Sequence, residues 1–340
     1  MKKLKIISIV IGVILVVALG FGGFFIYRTE QSLKSLDTNK TSVSKKIDKG
    51  KPFSILLLGA DTGTDGRVDR GNSDTMMLLT LNPNKGKTVA YSIPRDALAE
   101  MVGDQNKNVQ KINAAYNIGL SKMAKNTVGS LLGVPVDYHV AINMEALEKT
   151  VDFVGGVTVT SPLNVSFDGV TVPKGTHHLN GKEALTYARM RYQDPRGDYG
   201  RQIRQQQILR AVVKKLEQPK YLVKVPDLIK VLGKDINTDL TTKQIEQVVL
   251  KYHGSSKTMD FNQIQGQTAW INDSSYQVLP TSTMQQASNK LRNNLELEPQ
   301  TLNNTETKLN AKNKAFFEDE DNTDYNTYGL DTTYYTNNTY

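Results

Sequence analysis

Apolar positions along the 340 residues fall into three regimes: one unbroken run near the start, a long middle of short bursts and helical periods, and a polar end. The run is residues 6–27, 22 positions with one Ser and no charge. At 1.5 Å per residue a helix of that length crosses the ~30 Å of a bilayer's hydrocarbon, so the pattern predicts a membrane anchor. Lys2, Lys3 and Lys5 precede it. That bias predicts a single pass through the plasma membrane, with residues 1–5 in the cytoplasm and the remainder outside. No small-residue cleavage site follows, as a signal peptide would need.

Residues 28–51 are rich in Ser, Thr and Lys without an apolar period, and read as an extracellular stalk. From Pro52 the pattern changes. Phe53–Leu58, Thr75–Leu81 and Thr88–Ile93 are β-branched or apolar runs bounded by Gly, Asn, Pro and Asp, the signature of strands. Helical periods cover Ile112–Leu132, Met144–Val154, Asn180–Arg191 and Gly200–Leu216, with strands at Val136–Ile142 and Val157–Thr160 and a hairpin about Asp168-Gly169. Interleaved strands and helices predict a mixed α/β sandwich, one central mixed β-sheet flanked by helices, over residues 52–298. Residues 299–340 are rich in Asn, Thr and Tyr, poor in aliphatics, and read as a disordered acidic tail.

Composition narrows the chemistry. Without cysteine there is no disulfide, thiolate metal site or cysteine nucleophile. Net charge is +8, but residues 315–340 hold six of the 34 acids and none of the 42 bases, leaving the rest at +14. Arginine is scarce, 11 against 31 lysines, and five of the 11 (Arg189, Arg191, Arg196, Arg201 and Arg204) fall within 16 positions. Forked guanidinium donors clustered this way point to phosphate or carboxylate oxygens. Arg201, Arg204 and Gln205 share one helical face, in what reads as the helix's first turn, where free N–H groups add to an anion site. If the first three strands form a meander, Asp61, Asp74 and Arg95 meet at one end of the sheet. Two carboxylates there suit a hard cation, Mg²⁺ or Mn²⁺, beside a phosphate gripped by Arg95. The plainer alternative makes both acids turn residues and Arg95-Asp96 a surface pair. His177-His178 would face opposite ways on a strand, which argues against a metal pair. Walker, nucleophile-elbow and HExxH motifs are absent, excluding nucleotide hydrolysis and zinc proteolysis of those types.

The strings LLLGAD (56–61), SDTMMLLTLNP (73–83), SIPRD (92–96), KINAAY (111–116), VDYHVAINM (136–144), VDFVGGV (151–157) and LNGKEALTYARMRYQDPRGDYGRQIRQQQ (179–207) resemble the LytR-CpsA-Psr family of cell-wall glycopolymer ligases. The resemblance spans about residues 52–215 together with the anchor. It implies a transferase outside the membrane of a Gram-positive bacterium. The expected donor is an anionic glycopolymer, teichoic acid or capsular polysaccharide, on polyprenyl pyrophosphate, and the acceptor the C6 hydroxyl of N-acetylmuramic acid in peptidoglycan. By the same resemblance Asp61 and Asp74 would hold Mg²⁺; Arg95, Arg189, Arg191 and Arg201, with Arg204 beside them, would clamp the pyrophosphate; and Gln205 would join the site. Asp61 or Asp96 would take the acceptor proton. Asn72 stands where many members carry Arg, with Arg67 and Arg70 nearby. The prenyl chain would need an apolar tunnel, for which Ile118–Leu132 and Val140–Val154 are candidate linings. Alternatives are a nonenzymatic glycan-binding attenuator, a pyrophosphate hydrolase and a DNA-binding regulator. An extracellular domain meets no nucleic acid, which sets the last aside.

Overall fold

The computed structural model describes residues 46–60 and 71–332, apart from Glu217, Val223, His253, Gly254 and Ser256. The anchor expected at 6–27 lies outside these residues, and no described helix is long and apolar enough to cross a membrane. Strands β1 (Phe53–Ala60), β2 (Ser73–Asn82) and β3 (Lys87–Ile93) form the expected meander, each antiparallel to the next. β4 (Leu98–Glu100) and β5 (Val109–Lys111) form a short hairpin, followed by α1 (Ala114–Leu132), β6 (Tyr138–Ile142) and α2 (Met144–Phe153). Next come β7 (Val157–Ser161), β8 (Val165–Phe167), β9 (Val170–Val172), β10 (Gly175–Leu179), α3 (Gly181–Arg189) and α4 (Gly197–Leu216). The remainder holds short helices α5 (Pro219–Leu222) and α6 (Val225–Leu232), β11 (Ile236–Thr238), α7 (Thr242–Lys251), strands β12 (Thr258–Gln263), β13 (Gln267–Ile271) and β14 (Ser274–Val278), then α8 (Thr281–Asn294) and α9 (Thr305–Lys312).

The main sheet has six strands in the order β11-β6-β1-β2-β3-β12. β6 runs parallel to β1 and β12 parallel to β3, so the sheet is mixed. Alternation along β1 splits the core. Phe53, Ile55 and Leu57 face one apolar layer with α2, α3, α4 and α6; Leu56, Leu58 and Ala60 face the other with α1 and α8.

Two boundaries depart from the sequence reading. The last residues of the expected stalk belong to the fold: Ile47 is fully buried in the first layer, and Lys46 pairs with Asp137 at 2.7 Å. The expected disorder of 299–340 is overturned as far as residue 332. Leu309, Phe316 and Tyr325 are buried with Ala269, Ile271, Tyr276 and Val278 in a third cluster. Phe316, Phe317 and Tyr325 pack edge to face at 4.9–6.5 Å, and Asn304 caps α9 by accepting from the Thr307 N–H. Aromatic rings supply the apolar area that the scarcity of aliphatics hid.

Candidate active site

The exit of β1, the entry of β2, the exit of β3 and the end of β6 lie along one edge of the sheet, the carboxyl ends of its parallel strands. There the β1/β2 ladder slips: Gly59 pairs with Thr75 and Ala60 with Ser73, leaving Asp74 as the extra residue of a bulge. A bulge re-aims the side chain it carries. Gly59 permits it, because a Cβ there would sit 2.9 Å from Thr75 Cβ. Asp74 accepts from Arg95 Nη1 at 2.7 Å, and its carbonyl accepts from Arg201 Nη2 at 3.0 Å. The expected meeting of Asp74 and Arg95 is therefore present. Asp61, Arg67 and Arg70 fall outside the described residues.

A cavity of about 270 Å³ opens at this edge. Its polar lining includes Asp74, Arg95, Arg189, Arg191, Arg201 and Gln205; its apolar lining includes Leu57, Met77, Ile142, Leu147, Leu185, Ile208, Leu209 and Val212. Phe167 of the β8–β9 hairpin also lines it, with the Arg189 guanidinium 4.6 Å over its ring and 3.4 Å from Asp168. Gln205 donates to the Ala188 carbonyl at 3.3 Å. Of the two expected tunnel stretches, Val140–Val154 contributes Ile142, Met144 and Leu147, whereas Ile118–Leu132 packs in the opposite layer and contributes nothing.

The arginines are close enough to feel one another. Burial lowers the pKa of Arg201, Arg95 and Arg191 repel it further, and Asp198 and Asp74 only partly compensate. For Arg95 burial also disfavours the charge, but Asp74, Asp96 and Asp198 outweigh it and the pKa rises. Nε of Arg95 and Nε of Arg201 are buried without a hydrogen-bond partner among the described residues. Buried guanidinium donors in want of acceptors mark an anion site.

Two sequence expectations fail at α4. The helix begins at Gly197, so Arg201 and Arg204 stand in its second turn and the acid Asp198 in its first. The anion site is therefore built by converging side chains and not by a helix terminus. Arg204, expected at the pyrophosphate, is fully buried and absent from the cavity lining. It donates to the Tyr187 carbonyl at 2.9 Å, to Asp194 at 2.5 Å and to the Met190 carbonyl, fastening the loop between α3 and α4. Burial works against the Asp194 charge, but hydrogen bonds from Arg196 and Arg204 prevail and hold its pKa at about 2. Asp194 was not singled out from sequence; a lone acid in a Pro-Gly loop gives no sign of burial. Gly200 makes room for it, since any Cβ there would overlap the carboxylate. Tyr192, 90% exposed with Arg191 stacked on its ring at 5.6 Å, is a further rim residue without a sequence signal. Asp96 is held by Lys111 at 3.3 Å and lies outside the lining. The two histidines of β10 bind backbone carbonyls, His178 that of Gly155 and His177 that of Lys174.

One cavity lined by both guanidinium groups and aliphatic side chains defines a site suited to an amphiphile with an anionic head and an apolar tail. The chain belongs to the LytR_cpsA_psr family, whose model matches residues 23–293. A polyisoprenyl-teichoic acid--peptidoglycan teichoic acid transferase TagU of Bacillus cereus is 39% identical over 308 residues, covering 87% of this chain and 99% of that protein. A crystal structure from Enterococcus faecalis described as a transcriptional regulator superposes with TM-score 0.67 at 38% identity, over 80% of this chain and 96% of that one. TagT bound to LIIa-WTA superposes with TM-score 0.61 at 28% identity, over 78% and 95%.

Proposed function

We propose that this protein is a membrane-anchored transferase of the cell envelope. It takes an anionic glycopolymer, wall teichoic acid or a capsular or secondary polysaccharide, from polyprenyl pyrophosphate and joins it to the C6 hydroxyl of N-acetylmuramic acid in peptidoglycan. The observation carrying this reading is that one cavity is lined by four arginines together with aliphatic walls. The walls suit a prenyl chain and the guanidinium groups suit its diphosphate. The donor's anhydride supplies the driving force, so no nucleotide is needed.

The acceptor oxygen attacks the phosphorus that bears the glycan. A new P–O bond forms, the bond to the bridging oxygen breaks, and polyprenyl phosphate leaves with the bridging oxygen. Charge gathers on the bridging and equatorial oxygens, where Arg95, Arg189, Arg191 and Arg201 can neutralise it. The hydroxyl proton passes to a carboxylate, and we assign it to Asp61 because Asp96 is already paired with Lys111 at 3.3 Å and with Arg95 Nε at 3.6 Å. Asp74, with its hard oxygens in the cavity lining and a side chain 27% exposed, fits a ligand of Mg²⁺ or Mn²⁺, which Asp61 would share. Such an ion would supply further neutralisation of phosphate charge. Residues 6–27 would hold the catalytic domain at the outer face of the plasma membrane.

The test incubates the full chain in detergent micelles with a synthetic lipid-linked donor, Mg²⁺ and peptidoglycan oligomers, with mass spectrometry of the products. A joined phosphodiester product, lost in Arg95→Ala and Arg189→Ala, is expected. Donor binding without product would make the protein a binder, and free glycan phosphate alone would make it a hydrolase; either result overturns the reading.

A further inference from the structure

Trp270 is the chain's sole tryptophan and is 57% exposed. It stands on the β13–β14 hairpin, whose inner residues Ala269, Ile271, Tyr276 and Val278 are buried. The outer face presents Thr268 and Trp270 with their cross-strand partners Gln277 and Ser275. The chain beyond the family match braces this hairpin. Gln267 Nε2 donates to the carbonyls of Phe316, Asp319 and Asn322 at 2.7, 2.8 and 3.1 Å, and the Trp270 backbone N–H donates to the Thr323 carbonyl at 2.9 Å. The segment that follows the family match thus fixes the backbone of the hairpin that carries this exposed ring.

The outer face is continuous with the active-site edge. The Gln277 N–H donates to the Asp96 carbonyl at 2.8 Å, and Gln277 Oε1 accepts from the Tyr199 hydroxyl at 2.9 Å. Asp96 adjoins Arg95, and Tyr199 sits between Asp198 and Arg201 on α4. Gln277 lies two positions along the strand from Ser275, the partner of Trp270, a step of about 7 Å. Charge selects the occupant. The hairpin 267–278 has no Lys or Arg; exposed Asp273 lies in its turn, and exposed Asp324 lies on the neighbouring segment, whose backbone bridges to that of Trp270. An anionic polymer is disfavoured there, whereas a neutral pyranose offers a C–H face to stack on indole and hydroxyls for Ser275 and for Thr268, whose hydroxyl Gln277 Nε2 orients at 2.9 Å.

We infer that this face is a docking strip for the neutral glycan strand of the acceptor, with Trp270 stacking on an N-acetylhexosamine ring. The role as acceptor site rests on the transferase reading; the binding of glycan does not.

Because the chain has one tryptophan, its fluorescence reports on this position alone. Titration of the full chain in detergent with N-acetylchitohexaose is expected to give a saturable emission shift, and poly(glycerol phosphate) none. Trp270→Ala is expected to sediment with insoluble peptidoglycan about tenfold more weakly, Trp270→Phe to retain most binding, and the acceptor KM of Trp270→Ala to rise about tenfold with kcat and donor KM unchanged. A silent titration, or Trp270→Ala sedimenting like the parent, would overturn the inference. So would emission that red-shifts when residues 333–340 are removed, since the chain's own terminal tyrosines would then occupy the face. A saturable hexaose response in a protein that forms no transfer product supports the strip and defeats only the transferase reading.

Discussion

Replacing Arg204 with Ala separates an arginine that builds the site from those that face the ligand. The side chain is fully buried and gives three groups a donor: the carbonyls of Tyr187 and Met190 and the carboxylate of Asp194. Truncation leaves two buried carbonyls unpaired, at about 1–3 kcal/mol each. Breaking a buried ion pair costs about 3–5 kcal/mol by itself. Arg196 still holds Asp194 through Nε and Nη2, both at 3.0 Å, which keeps the total near that range. We therefore expect a loss of about 3–5 kcal/mol, read as a fall in Tm of roughly 6–20 °C at about 2–4 °C per kcal/mol for a domain of this size. The assay is thermal unfolding of the full chain in detergent by circular dichroism, beside Arg201→Ala. Arg201 faces the cavity under repulsion from Arg95 and Arg191, so its removal should abolish transfer while Tm moves by only a few degrees. If Arg204→Ala melted like the parent yet lost donor binding as Arg201→Ala does, Arg204 would belong to the ligand and the burial argument would be wrong.

Three further outcomes follow from the geometry. Burial pushes the Glu306 carboxyl up to about 7, the nearby Glu100 adding to it against two backbone hydrogen bonds. An acid raised on folding loses stability as pH climbs from its unfolded value near 4.5 to about 7, so Glu306→Gln should melt higher than the parent at pH 8 and equally at pH 4. Equal melting at pH 8 would show that the carboxyl is not held neutral. Leu147→Trp should fill the aliphatic part of the cavity and raise the KM for a donor with a long prenyl chain roughly tenfold, leaving a short-chain donor little changed; equal effects on both donors would remove the tunnel from the mechanism. Gly59→Ala forces a contact of 2.9 Å on Thr75 and should lower kcat/KM at least about tenfold through displacement of Asp74, for a stability cost of about 1–3 kcal/mol measured by urea unfolding.

What was legible in the sequence was what short-range pattern controls. Alternating apolar residues with tight turns between them specify β1, β2 and β3 as a meander, and the meander alone brings Asp74 to Arg95. The α3–α4 loop was not legible, because Asp194-Pro195-Arg196-Gly197 reads as a breaker until its carboxylate is seen to be buried under Arg204. Helical spacing puts Arg201, Arg204 and Gln205 on one face, but only packing against α3 decides that Arg204 turns inward while its neighbours line the cavity. The end of the chain misled for a different reason. Its core is made of rings and amides: Tyr325 donates to Asn310 at 2.7 Å, and Asn310 donates to the Leu279 carbonyl at 2.8 Å, so a count of aliphatics underrates it.

The acids beside the cavity explain how so many arginines are tolerated together before a ligand arrives. Arg95 leans on Asp74, Arg189 on Asp168 and Arg201 on Asp198, at 2.7, 3.4 and 2.5 Å. Each carboxylate carries one charge and leaves donors over, including the two buried Nε groups. A diphosphate brings more negative charge and more oxygens to the same place, so it can serve those donors without the carboxylates having to leave. Burial chiefly, and repulsion from Arg95 and Arg191 besides, lower the Arg201 pKa; an anion relieves that repulsion, so the crowding of the arginines favours its binding. On the proposed transferase reading, the charge developed during transfer would fall on the oxygens these groups surround. Preorganisation of this kind would stabilise the transition state without fresh reorientation of the protein, and the buried Asp194–Arg204 pair fastens the loop that carries Arg191.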